Sequence, residues 1–360
     1  MLMKSIKVYS ILFFVAVFSM MGVTVSEVIR NRNSDEKKEM DNVTWIPDFI
    51  DKTIKDNIPQ KKALMTADVY YTKFVIDKVS SQLVEVGNNN FIFLITNNES
   101  DCELADYQCS KKFTQQEIEN GISFYSKMQN FCKDRNIEFF ALCAPNKSKV
   151  YSQYMPPSIC KGDVSRNDIL IEACKNAGIN IIYPKAELIE ASRNNIVYYP
   201  YDSHWNRLGA YVGARLILKN WGVDLPALES VQIETDGEGD NDLCKWISLR
   251  FPQTADSKKF YPVDFKKFYD MDYDFDSVVP VGPYINPEPV IAKKLLVVGD
   301  SYRMSLSPVM AGTFAETYIM YNGIWDWKPC EKICEAIEQV NPDYVLYVSV
   351  ERYNKLLTMK

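Results

Sequence analysis

The chain has 360 residues and a single histidine, His204, set in Tyr199-Pro200-Tyr201-Asp202-Ser203-His204-Trp205-Asn206. Imidazole is the only side chain that titrates near neutral pH without help from its surroundings. Asp202 stands two residues earlier, and on an extended segment residues two apart share a side. A carboxylate there can take the Nδ1–H of the ring and leave Nε2 free to draw a proton from another group. That is the base-and-orienter half of a catalytic triad. An ordinary loop also contains such a pair, so the chemistry requires a nucleophile brought to the ring.

Ser301 is the candidate nucleophile. The run Lys294-Leu295-Leu296-Val297-Val298-Gly299-Asp300-Ser301 reads as a buried parallel-type strand that ends in a sharp turn. A helix follows, expected to start at Ser305 or Ser307 and to end at Phe314. Backbone N–H groups at a strand–helix turn can face a developing oxyanion. Asp300 is read as shaping the turn rather than as the triad acid.

The elements that must carry these residues alternate from about residue 113. Gln115 to Cys132 has Ile118, Ile122, Tyr125 and Met128 spaced for one buried helical face. Glu138 to Cys143 is a strand ending at Ala144-Pro145-Asn146-Lys147. Asp168 to Ala177 is a helix stopped by Gly178. Asn180 to Pro184 is a strand, and Asn206 caps a helix to Lys219. After Ser301, Thr317–Tyr321 is a strand, Glu331–Val340 a helix and Tyr344–Val350 a strand ending at Glu351-Arg352. Repeated strand–helix units predict an α/β fold, a parallel sheet flanked by helices. Ligands in such sheets sit at the carboxyl ends of the strands. Upstream, Val84–Leu94 reads as a hairpin around a Gly/Asn turn.

Residues 223–290 show little periodicity and read as an irregular insertion beside or over the sheet. Asp270, Asp272, Asp274 and Asp276 alternate with apolar residues there. A calcium loop would need a loop glycine and a Glu at the twelfth position, which is Val281, so a solvated strand face is expected.

Composition sets outer limits. The 47% hydrophobic content supports a large core, and the net charge of −6 offers no basic surface for nucleic acid. Nine cysteines without a C-x-x-C pair, beside one histidine, predict no structural zinc site. No metal or cofactor is expected. Cys132, Cys143 and Cys174 read as small core hydrophobes, while Cys102 and Cys109 can bridge in an oxidising compartment.

Residues 1–28 read as an uncleaved signal anchor. Lys4 and Lys7 precede the uncharged run Val8–Val25, near the lower limit of about 18 residues for a bilayer span. Positive charge before the run keeps the N-terminus inside. A single-pass protein of the cell membrane with its catalytic domain outside the cytoplasm follows, with cleavage and secretion as the alternative. Residues 29–80 form a tether and entry segment, and 81–360 the catalytic domain.

Gly299-Asp300-Ser301-Tyr302 after a buried strand, with Asp202-Ser203-His204-Trp205-Asn206 upstream, resembles the SGNH-like acetyltransferases, the alginate O-acetylation or DHHW proteins. Ala144-Pro145-Asn146-Lys147-Ser148-Lys149-Val150-Tyr151, with Pro156 and Pro157, is similar to their Pro-x-Lys…Val-Tyr…Pro segment, and Glu351-Arg352 to the pair closing their last strand. The resemblance spans roughly residues 85–355. It implies an SGNH-like fold and a Ser301–His204–Asp202 triad. An acetyl-serine would form and pass its acetyl group to a hydroxyl of a cell-surface or secreted polysaccharide. Asn146, Tyr302, Arg303, Trp205 and Arg352 are candidates for oxyanion or substrate binding, with packing as the competing role for Trp205 and an ion pair with Glu351 for Arg352. The implied partner is a multi-pass membrane O-acyltransferase that supplies acetyl groups. A carbohydrate acetylesterase and a silent polysaccharide-binding or assembly protein are the alternatives. The order Asp, His, Ser is the reverse of ordinary SGNH esterases, where the serine comes first.

Overall fold

The structure, a computed structural model, describes residues 81–98, 101–247, 255–323 and 327–358. The signal anchor expected over residues 1–28 and the tether over 29–80 lie outside the described residues. Among the described residues, no helix is long and apolar enough to cross a membrane.

The described residues form ten strands: β1 (Val84–Val86), β2 (Ile92–Leu94), β3 (Glu138–Ala144), β4 (Ile181–Ile182), β5 (Ile233–Glu238), β6 (Lys258–Pro262), β7 (Val281–Ile285), β8 (Ile291–Gly299), β9 (Phe314–Tyr321) and β10 (Tyr344–Val350). Six of them form one sheet in the order β4-β3-β10-β8-β9-β7. All neighbours run parallel except β7, which pairs antiparallel with β9. The principal helices are α1 (Gln115–Lys133), α2 (Lys147–Val150), α3 (Arg166–Asn176), α4 (Arg207–Asn220), α5 (Arg303–Thr313) and α6 (Cys330–Val340).

The central strands are apolar on both faces because both faces are covered. Leu295 and Val297 of β8, with Leu346 and Val348 of β10, pack among side chains of α4 and α5. Leu296, Val298, Val345 and Tyr347 face the other way, toward α1, α3 and α6. Helix starts follow local chemistry. Thr114 with Glu117, and Ser165 with Asp168, form capping boxes. The Asn206 side chain accepts from the N–H groups of Leu208 and Gly209, both at 3.0 Å. Gly178, at φ +76°, takes the left-handed conformation just past α3.

The fold departs from expectation in three places. The sheet is mixed rather than parallel, because residues 223–290, expected beside or over the sheet, supply β7 as an antiparallel edge strand of the sheet itself. That segment also holds the β5–β6 antiparallel pair, so it is not irregular throughout. Helix α5 begins at Arg303, closer to Ser301 than Ser305 or Ser307. The alternation from Asp270 to Asp276 does put the aspartates in solvent, with Met271, Tyr273 and Phe275 half-buried. Those residues form no strand ladder.

The nine cysteines are free thiols, so Cys102 and Cys109 stand unbridged at the ends of the short helix Glu103–Gln108. Cys132, Cys143 and Cys174 are fully buried, as expected of small core residues.

Candidate active site

The carboxyl edge of the sheet brings two turns together. Strand β8 delivers Ser301 through Gly299. A Cβ on Gly299 would lie 2.0 Å from the Val348 carbonyl oxygen of β10, so only glycine lets the two strands approach this closely before the turn. The buried Asp300 carboxylate accepts the N–H groups of Tyr302 (2.9 Å) and Val350 (2.6 Å). Asp300 thus shapes the turn, and the Tyr302 N–H is committed to it.

The second turn carries the base. Tyr198 and Trp205 form an isolated antiparallel bridge, and residues 201–204 turn between them. Asp202 and His204 are therefore not on an extended segment. One oxygen of Asp202 accepts both the His204 backbone N–H (2.9 Å) and its Nδ1 (2.6 Å). A short aspartate reaching its own backbone two residues on explains why the pair meets in a turn. The other oxygen accepts the Asp242 backbone N–H at 3.0 Å. On its far side, His204 Nε2 lies 2.7 Å from Ser301 Oγ. Serine, imidazole and carboxylate, well separated in sequence, thus form one hydrogen-bonded line.

Electrostatics match that line. Burial alone would raise the Asp202 carboxyl, but His204 and the two backbone N–H groups hold it well below its ordinary value. Burial would lower the His204 ring, yet the Asp202 charge and hydrogen bond raise it above 6.5. A carboxylate fixed in its charged form beside the ring favours the Nδ1–H tautomer and steadies an imidazolium.

A cavity of about 240 Å³ opens beside Ser301. Its walls include Phe275, Asp276, Arg303, Met304, Tyr321 and Tyr353. Phe275 and Asp276 come from the 223–290 segment, tied down by Tyr321 N–H donating to Ser277 O at 2.7 Å.

The other five candidates are distributed differently. Arg303 lines the cavity, but its Nη1 donates to Asp300 O at 3.0 Å and its Nη2 to Phe275 O, so the guanidinium holds the cavity wall. Trp205 is 1% exposed and donates from Nε1 to Tyr302 O at 2.8 Å. It packs beneath the turn and offers no sugar-stacking face. Tyr302 is also fully buried and donates its hydroxyl to Ser203 O at 2.7 Å. Arg352 is 2% exposed, lies 3.7 Å from Glu103 and donates to Tyr302 Oη at 3.3 Å. Its carboxylate neighbour is Glu103, not Glu351, which instead pairs with Lys149 at 2.7 Å. Asn146 ends the β3 connection with its N–H on Glu351 at 2.8 Å. Its buried amide has no hydrogen-bond partner, so it retains unused donors.

Sequence reasoning missed Asp242. Its carboxylate accepts Ser203 N–H (2.9 Å) and Ser203 Oγ (3.0 Å), bracing the turn from the insertion. No spacing or composition marks it. Asp202, His204 and Asp242 also gather closely enough to suggest a cation site. His204 Nδ1 is already hydrogen-bonded to Asp202, and both Asp242 oxygens accept from Ser203, so those donors do not suit a metal.

Solved structures similar to the chain include Bacillus cereus PatB1 with a sulfonyl adduct, at 17% identity and a TM-score of 0.48, covering 68% of this chain and 92% of that one. A DHHW family protein from Eubacterium siraeum matches at 19% identity and 0.45, covering 65% and 85%. The O-acetyltransferase domain of Pseudomonas putida AlgJ matches at 16% and 0.48, covering 77% and 93%. No curated protein matches the chain by sequence. Residues 104–234 match the family model described as SGNH hydrolase-like domain, acetyltransferase AlgX. The resemblance read from the sequence is borne out by that match, which spans Asn146, Asp202 and His204 and stops short of Ser301.

Proposed function

We propose that the chain is an SGNH-like O-acetyltransferase that passes acetyl groups through Ser301 to hydroxyls of a polysaccharide outside the cytoplasm. The observation that carries this reading is the line Ser301 Oγ–His204 Nε2 (2.7 Å) and His204 Nδ1–Asp202 (2.6 Å). The AlgX-type match over residues 104–234 supports it from the sequence side.

Ser301 Oγ attacks the acetyl carbonyl of a donor ester as its proton moves to His204 Nε2. The tetrahedral intermediate collapses, the donor oxygen leaves with that proton, and acetyl-serine remains. An acceptor hydroxyl then gives its proton to His204 and attacks the acyl carbon. Ser301 departs and recovers the proton. Asp202 carries no proton in this cycle; it orients the ring and stabilises its charge. Asn146, whose buried amide is unpartnered, is the candidate side-chain donor to the oxyanion, a role worth about 10² to 10³ in rate. The rings of Phe275, Tyr321 and Tyr353 beside the Asp276 carboxylate supply apolar faces and a hydroxyl acceptor, which suits a sugar. The anchor over residues 1–28 would hold the domain near a multi-pass membrane acyltransferase that exports the donor acetyl group, raising its local concentration.

Purified protein incubated with an acetyl ester and candidate oligosaccharides should yield sugars heavier by one acetyl group. Ser301→Ala and His204→Ala should each lower ester turnover by about 10⁴-fold or more. Full turnover in either folded variant would remove the enzyme reading. Acetate release without sugar acetylation, across all acceptors, would favour the esterase alternative.

A further inference from the structure

Lys147, the first residue of α2, is 2% exposed. Its ammonium donates to three main-chain carbonyls: Tyr199 (3.1 Å), Pro200 (3.2 Å) and Asp202 (2.6 Å). Among the described residues, no carboxylate lies within ion-pair distance of it. A buried ammonium without such a partner is costly, so the three carbonyls must compensate for lost hydration. The rest of the turn's carbonyls are held elsewhere. Tyr201 O takes the Leu243 N–H at 3.1 Å, Ser203 O the Tyr302 hydroxyl at 2.7 Å, and His204 O the Tyr199 N–H at 3.2 Å. Lys147 thus holds the half of the turn that leads into Asp202.

Building on the proposed role of His204 as base, we infer that Lys147 is a positioning residue: by drawing three carbonyls of residues 199–202 to one point, its ammonium sets the Asp202 carboxylate and the His204 ring against Ser301. Lysine suits the task because an ammonium has three donors on one atom. A planar guanidinium spreads its donors, and a neutral side chain would leave the Tyr199 and Asp202 carbonyls without a donor, while Pro200 O keeps the Ile92 N–H at 2.9 Å. The charged and titratable groups around Lys147 are Asp202 on the turn, Asp242 and Cys244 on the neighbouring segment, and Glu103 on the short helix. The Phe91 and Phe93 rings lie 5.9 and 5.4 Å from Nζ. Burial lowers the ammonium to about 8, against the raising effect of these acids. The clamp is therefore charged at neutral pH and loses a donor in mildly alkaline solution.

The test is ester turnover against pH in wild type, Lys147→Met and Lys147→Arg. Wild-type kcat should fall above a pH of about 8. Lys147→Met should lower kcat about 100-fold, as expected for a displaced catalytic group, keep KM within about threefold and lose the alkaline limb. Lys147→Arg should recover less than a tenth of the lost rate. A Lys147→Met protein with wild-type kcat, or with the alkaline limb intact, overturns the inference. Should that variant fail to fold, ¹⁵N NMR of the lysine Nζ groups in wild type decides. One lysine must titrate with the midpoint of the alkaline limb, and a mismatch sinks the idea. Absence of Ser301-dependent turnover in wild type would instead defeat the proposed function itself.

Discussion

The two turns that meet at the serine–imidazole hydrogen bond are held by opposite charges. At the Ser301 turn a carboxylate does it, with Asp300 accepting the N–H groups of Tyr302 and Val350. At the His204 turn an ammonium does it, with Lys147 donating to the carbonyls of Tyr199, Pro200 and Asp202. A chain leaving a strand to start a helix turns its N–H groups inward and needs an acceptor. A loop curled the other way presents carbonyls and needs a donor. The acceptor is adjacent to the residue it places, whereas the donor comes from a different strand connection. The first kind of support starts beside the residue it places and reaches out to Val350 of β10, and the second comes wholly from a distant part of the chain.

Three changes break or sharpen that contrast. The largest effect is expected from Asp202→Asn, which alters the link between clamp and ring. kcat should fall about 10⁴-fold, because an amide no longer enforces the Nδ1–H tautomer. The pH profile should move as well. Only the neutral ring accepts the serine proton, so wild-type kcat/KM falls as pH drops through a His204 pKa held above 6.5. Without the Asp202 charge that acid limb should shift to lower pH, and an unmoved limb would show that the carboxylate does not set the ring. Next comes Asp300→Ala, which leaves two buried N–H groups without an acceptor. A loss of about 3 kcal/mol in urea unfolding is expected, and a loss under about 1 kcal/mol would mean that the anion does not hold its turn. The smallest change is Asp242→Ala. It removes the acceptor for Ser203 but leaves the main-chain N–H on Asp202, so kcat should fall only about tenfold. A fall comparable with that of Lys147→Met would show that the turn depends on both braces equally.

The same division explains what was legible beforehand. Continuous apolar runs gave β8 and β10, because burial on both faces removes polar residues from the pattern. Asn206 and Gly178 marked helix ends through chemistry confined to neighbouring residues. Ser301 and His204 were found by residue type and by their place at the sheet edge. Asp242, Phe275 and Asp276 were not, since a brace or cavity wall from an aperiodic segment has no local signature. Strand β7 was missed for a related reason. An edge strand with one ladder partner carries Gly282 and Pro283 and lacks the apolar run of an interior strand. Trp205 and Arg352 have side chains that suit ligand contact, and only their burial shows that they pack instead.

Strand β10 follows every other strand in sequence yet lies in the middle of the sheet, between β3 and β8. Among the described residues, the sheet ladders that link β3, which leads to Lys147, with β8, which leads to Ser301, run through it. A ribosome that has released the nucleophile, the base and the clamp has still not supplied the seam between them. The nascent protein should therefore be silent toward esters until Tyr344–Val350 has been made and inserted, and cleavage just ahead of that strand should disarm it without touching a reacting atom.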